Sequence, residues 1–117
     1  MSEGMTVREI TVHDLEALGA SARVIDVREP HEWNDAHIAH AELVPLATVP
    51  DRVDAFDGEP TYVVCRSGNR SGKACEFLGA QGRDVVNVSG GMVAWISAGF
   101  PTEPDSTAAA ESGPAGG

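Results

Sequence analysis

Short apolar runs alternate with amphipathic stretches along this chain, and the alternation predicts its elements. Val7 to Ile10 reads as an edge strand. Thr11 suits an N-cap, with Asp14 three residues on as a variant of the capping box. Val12, Leu15 and Leu18 then form an apolar stripe, and Gly19 can stop that helix. Arg23-Val24-Ile25-Asp26-Val27 reads as a strand from the middle of a parallel sheet. Pro30 fits the first turn of a short helix carrying Trp33. Leu43-Val44-Pro45-Leu46 is a short extended piece, and Val49 to Phe56 reads as a helix with Val49, Val53 and Phe56 inward. Thr61-Tyr62-Val63-Val64 is a fourth strand, and a helix follows from Ser71 to about Gly79 or Gly82. Asp84 to Val88 is a fifth strand, Gly90-Gly91 a turn, and Met92 to Ala98 a last helix with Trp95 and Ile96 inward. Strands alternating with helices predict an α/β fold: a central parallel five-stranded sheet with helices on both faces.

The pattern stops near Pro101. Glu103 to Gly117 is mostly Ala, Ser, Gly, Pro and acid, with no large apolar residue to bury. Residues 1–103 are therefore expected to form one domain and 104–117 a disordered tail. The 117 residues, 42% apolar, suit a single modest core. No apolar run approaches the ~20 residues of a membrane helix. The polar, acidic start Met1-Ser2-Glu3-Gly4-Met5 does not suggest a secretory signal. A formal net charge of −10 argues against nucleic acid or an anionic membrane as partner. The two cysteines, Cys65 and Cys75, are separated by a helix and lie beyond disulfide reach on that reading. A reducing cytoplasm is the simplest expectation. No Cys/His cluster has structural zinc spacing.

Against that acidic background, Cys65-Arg66-Ser67-Gly68-Asn69-Arg70 is exceptional. It joins the end of the fourth strand to a helix. A tight loop there directs amides and the positive end of a helix dipole at the Cys65 sulfur. Arg66 and Arg70 add local positive charge. Such surroundings lower a thiol pKa and yield a nucleophilic thiolate. Ligands in parallel sheets also bind beyond the carboxyl ends of strands, where Cys65 sits. The residues point to cysteine-based group transfer on an anionic substrate.

The same residues resemble a known family. Asp26-Val27-Arg28-Glu29-Pro30, with Glu32-Trp33 and Ala36-His37-Ile38, is similar to the N-terminal signature of rhodanese domains. Cys65 through Ser71 resembles their active-site loop, and Val88-Ser89-Gly90-Gly91-Met92 with Ala94-Trp95 their C-terminal signature. The likeness runs from about Ile10 to Pro101. One stretch departs: where the family commonly has glycine-His-Ile, this chain has Ala36-His37-Ile38, followed by Ala39-His40-Ala41-Glu42. That bears on local backbone geometry rather than chemistry. The resemblance implies a single-domain sulfurtransferase of the thiosulfate:cyanide type that needs no cofactor. It implies that Cys65 attacks a small sulfur donor such as thiosulfate, keeps a persulfide, and passes the sulfur to cyanide or a thiol. A sulfur-carrying protein is a further candidate acceptor. Cys65 is then the catalytic residue, and Arg66, Ser67, Gly68, Asn69, Arg70 and Ser71 bind substrate, the arginines holding the sulfonate end. Gly68 is required where a side chain would obstruct the turn.

Each residue also has a plainer reading. Ser67, Asn69 and Ser71 shape the loop and cap the helix rather than react. Cys75, beside an Ala74/Phe77/Leu78 stripe, is a small core residue rather than a resolving thiol. Asp26 and Arg28 form a structural hydrogen-bonded pair at the mouth of the sheet. Trp33 and Trp95 belong to the core. His37, His40, Asp35 and Glu42 are a weak metal signal. Two other functions compete. A cysteine phosphatase or arsenate reductase resembles Cys with Arg at the sixth position after it, whereas Arg70 is fifth and Ser71 sixth. A non-catalytic rhodanese-like binding module typically lacks the cysteine that this chain has.

Overall fold

The computed structural model describes residues 7–104. Its centre is a five-stranded, all-parallel sheet of β1 (Glu9–Ile10), β2 (Arg23–Asp26), β3 (Glu42–Leu43), β4 (Thr61–Val64) and β5 (Val85–Val88). The strand order is β1-β5-β4-β2-β3. Helices α1 (Val12–Leu18), α2 (Pro30–Asp35) and α3 (Asn69–Ala80) connect strands, and α4 (Gly91–Ser97) follows β5. The three inner strands are apolar because both of their faces are covered. Successive residues take opposite faces. Ile25, Val63 and Val85 pack with Ala74, Cys75 and Leu78 of α3 and with Val49 and Phe56. Val24, Val64 and Val88 pack with Val12 and Leu15 of α1 and with Met92 and Trp95 of α4. The expected α/β architecture with helices on both faces is present.

The expected edge strand over Val7 to Ile10 shortens to Glu9–Ile10, in register with Asn87 and Val88. The N-terminal cap is formed in full: the Asp14 amide donates to Thr11 Oγ1 at 3.1 Å and the Thr11 amide to Asp14 Oδ2 at 3.5 Å. β3 is short, yet the extended piece follows β2 further. The Val44 amide donates to Asp26 O at 2.9 Å and the Leu46 amide to Val27 O at 3.0 Å. The helix expected over Val49 to Phe56 is replaced by two 3₁₀ segments, Leu46–Asp51 and Val53–Phe56. Pro50 has no amide to donate, so a continuous α-helix is broken there. Val49 and Phe56 are nonetheless buried and Val53 packs against them, because burial follows spacing more than helix type.

Three residues expected inside are exposed: Leu18 at 47%, Phe77 at 38% and Ile96 at 43%. Trp95 is buried, whereas Trp33 is only half-buried and stacks on His37 with ring centroids 3.6 Å apart. The Ala36 departure causes no strain. Its φ of −174° is ordinary extended backbone, and its carbonyl accepts Arg28 Nη2 at 2.7 Å. The expected disordered tail, 104–117, lies outside the described residues except for Pro104.

Candidate active site

The site forms where β4 ends and α3 begins. Helix α3 starts at Asn69, two residues earlier than its sequence suggests, so Arg70 and Ser71 sit in its first turn. Gly68 precedes it with φ +103°, a left-handed conformation that side chains disfavour. Obstruction is not the reason for glycine here, since an added Cβ would meet nothing nearer than 3.5 Å. The turn brings the Gly68 amide to 3.1 Å from Cys65 Sγ and the Ser71 hydroxyl to 3.3 Å. Cys65 itself is 1% exposed. Burial opposes its ionisation. The Ser71 hydroxyl and the amides of Ser71, Gly68 and Ser67 outweigh that and bring the thiol below its ordinary pKa. Cys75 has no such donors. Burial pushes it up to about 12, so it remains a neutral core thiol. Both cysteines are free.

The two arginines are not equivalent. Arg70 forms a fork on Glu32 of α2, its Nη1 and Nη2 each 2.8 Å from a carboxylate oxygen. That fork holds Glu32 at about 2 and raises Arg70 above its usual value. Glu32 Oε1 also accepts the Glu29 amide at 2.9 Å, so it fixes the start of α2 as well. Arg66 is exposed and has no ion pair among the described residues. It borders a cleft of about 180 Å³ with Glu32, Asp35, Met92, Val93 and Ile96. Ser67 and Asn69 are exposed on the loop. Asp26 and Arg28 are a closed, buried pair: Arg28 Nε and Nη2 reach the carboxylate at 2.9 and 2.8 Å. No group of three His, Cys, Asp or Glu could hold a metal among the described residues.

Three structural supports were not singled out as site residues in the sequence. Helix α4 clamps the loop from outside: the Met92 amide donates to Cys65 O at 2.8 Å and the Val93 amide to Arg66 O at 2.9 Å. Gly91 makes this approach possible, because a Cβ there would lie 2.6 Å from Arg66 O. Asn87 of β5 is buried and reaches Ser71 Oγ at 2.5 Å through its Oδ1. The third support is Glu32. The available signals were the Gly90-Gly91 pair and one amide inside the apolar run Val85-Val86-Asn87-Val88. Glu32 carried only the generic signal of an acid early in a helix.

This arrangement is a one-turn cradle of amides and one hydroxyl around a single sulfur, with the exposed Arg66 next in the chain. The family model for the rhodanese-like domain matches residues 11–98. The chain belongs to the rhodanese-like domain family. It is 38% identical over 95 residues to the Bacillus subtilis protein named "Putative sulfurtransferase YtwF", covering 78% of this chain and 92% of that one. It is 38% identical over 84 residues to the thiosulfate sulfurtransferase GlpE of Pseudomonas putida, covering 70% and 76% respectively. The crystal structure of a rhodanese-like domain protein from Staphylococcus aureus superposes with a TM-score of 0.72 at 41% identity, over 76% of this chain and 91% of that one. No helix among the described residues is long and apolar enough to cross a membrane.

Proposed function

We propose that this rhodanese-like domain moves a sulfane sulfur from a donor such as thiosulfate to a thiophilic acceptor through a persulfide on Cys65. The observation that carries this reading is the Cys65 sulfur lying 3.1 Å from the Gly68 amide and 3.3 Å from the Ser71 hydroxyl. The Cys65 thiolate attacks the outer sulfur of thiosulfate. The donor's S–S bond breaks and its electron pair leaves with sulfite. A persulfide anion remains, and the loop amides that favour the thiolate also favour this second anion. Arg66, exposed and unpaired among the described residues, is the group available to hold the sulfonate end. Arg70 braces the loop through Glu32 and adds its charge from there. Cyanide or a thiol, including one on a sulfur-carrying protein, then attacks the outer sulfur, and the Cys65 thiolate leaves.

The loop also argues against phosphoryl chemistry. Arg70 is fifth after Cys65 rather than sixth, and its guanidinium is tied to Glu32, so the arginine at the helix start is not free to grip a phosphoryl group in the phosphatase manner. The intact protein mass after thiosulfate tests the reading. A gain of one sulfur atom is expected, absent in Cys65→Ser and reversed by cyanide. No sulfur uptake, together with efficient hydrolysis of an aryl phosphate, would overturn it.

A further inference from the structure

Behind Cys65 a hydrogen-bonded chain continues from Ser71 to Asn87 and Glu9, two residues that the sulfur-transfer scheme does not use. Ser71 is fully buried, and its Oγ lies 3.3 Å from Cys65 Sγ and 2.5 Å from Asn87 Oδ1. A hydroxyl carries one proton, so it cannot donate to both acceptors at once. The orientation of the Asn87 amide is fixed by its other end. Its Nδ2 donates to Glu9 Oε2 at 2.9 Å and to the Gly68 carbonyl at 3.1 Å. That carbonyl can only accept, so Nδ2 must face it and Oδ1 must face Ser71. Two oxygens 2.5 Å apart need a hydrogen between them and an amide oxygen carries none, so the Ser71 O–H points at Oδ1. A lone pair of Oγ is then turned to Cys65, where it accepts the S–H of a neutral thiol.

We propose that Asn87 limits the acidity of Cys65 by competing with its sulfur for the single hydroxyl proton of Ser71. When Cys65 ionises, its proton goes to water and the Ser71 proton turns from Oδ1 to Sγ. The thiolate gains one donor and Asn87 loses one. Asn87 is thus a positioning residue acting through Ser71, and Glu9 at the sheet edge sets the direction of the chain. The inference deepens the reading of Cys65 as the nucleophile, but its test needs no sulfur transfer.

The other charged groups around Cys65 do not supply this proton. On the β2 side, Asp26 and Arg28 are closed on each other. From α3, Arg70 is held by Glu32 of α2, Cys75 is neutral, and Lys73 and Glu76 are exposed. Helix α4 carries no charged residue, Arg66 is exposed, and Glu9 acts from β1 behind Asn87.

The experiment is a double-mutant cycle read by the pH profile of Cys65 alkylation with iodoacetamide, followed on the Cys65 peptide. Asn87→Ala is expected to lower the midpoint by about half a unit to one unit, the range of one neutral hydrogen bond. Ser71→Ala should raise it. In the Ser71→Ala background, adding Asn87→Ala should shift nothing further. A midpoint unchanged or raised in Asn87→Ala, or an equal fall with and without Ser71, overturns the proposal. Should Asn87→Ala fail to fold, Asn87→Leu, which removes the acceptor and keeps most of the volume, gives the same comparison with and without Ser71. A downward shift only in the presence of Ser71 supports the chain, and equal shifts overturn it.

Discussion

At the scale of single residues, two buried cysteines ten positions apart are pushed in opposite directions by what surrounds them. Cys65 meets amides and a hydroxyl, whereas Cys75 lies buried among apolar side chains and its burial dominates. Below its lowered pKa, Cys65 is a thiol. Its reactivity rises as pH passes that value and levels off above it. The alkylation midpoint of Cys65 is therefore expected below the ~8.5 of free cysteine, while Cys75 stays unmodified through neutral pH. A Cys65 midpoint at or above the free value would remove the thiolate argument. Cys75→Ser should retain most sulfur transfer, with a stability loss on the order of 1 kcal/mol from a hydroxyl placed among apolar neighbours. Loss of transfer in a folded Cys75→Ser protein would assign that thiol a part in the chemistry.

Between elements, the loop is held by contacts from α4 and α2. Gly91 has φ +53° and lies against the Cys65 and Arg66 carbonyls. Gly91→Ala should therefore force the loop and α4 apart, costing roughly 3 kcal/mol or more and lowering sulfur transfer with it. Thermal unfolding checks the first part, and an unchanged melting temperature would show that the loop yields freely. The Arg70–Glu32 fork joins α3 to α2. Because the folded pKa of Glu32, about 2, lies below the usual ~4.3 of a free glutamate, the stabilisation is complete above that usual value. It disappears as pH falls through about 2. Glu32→Gln should melt below the native protein at pH 7, and the two curves should converge as pH drops from 5 to 2. The pair is only partly buried, so a difference of about 1 kcal/mol is expected. Parallel curves across that range would mean that the fork contributes nothing through its charge.

At the scale of the molecule, the last described residues make a short return to the α2 side. The His37 amide donates to Glu103 O at 3.0 Å and the Glu103 amide to His37 O at 2.7 Å. Trp95 Nε1 reaches the Pro101 carbonyl at 2.8 Å, and Thr102 Oγ1 the Pro104 carbonyl at 2.8 Å. Residues 105–117 carry no large apolar side chain. Removing 105–117 is expected to leave melting temperature and sulfur transfer unchanged. Removing residues from Pro101 onward should lower the melting temperature, because it takes away the acceptor of Trp95 and the partner of His37. A drop in melting temperature on the shorter truncation would show that the tail stabilises the domain.

The sequence by itself determined the layer order and where in the chain the candidate site lies. Short apolar strands with helices between them must bury both faces of a sheet, and that requirement is local enough to read from Val24, Val63 and Val88 in turn. The Cys65–Ser71 loop was legible because its glycine, arginines and following helix are contiguous in the chain. Pro50 was also visible, and breaking the predicted helix there needed only its missing amide. The tertiary structure decided which distant groups meet that loop. Glu32 is 38 positions from Arg70, Asn87 is 16 from Ser71, and Glu9 is 78 from Asn87. No periodicity links such positions, because hydrogen-bond partners across parallel strands are chosen by sheet order, here β1 beside β5 beside β4. The same order decided that Arg66, rather than Arg70, keeps a free guanidinium among the described residues, since only folding brings α2 and its carboxylate to the first turn of α3.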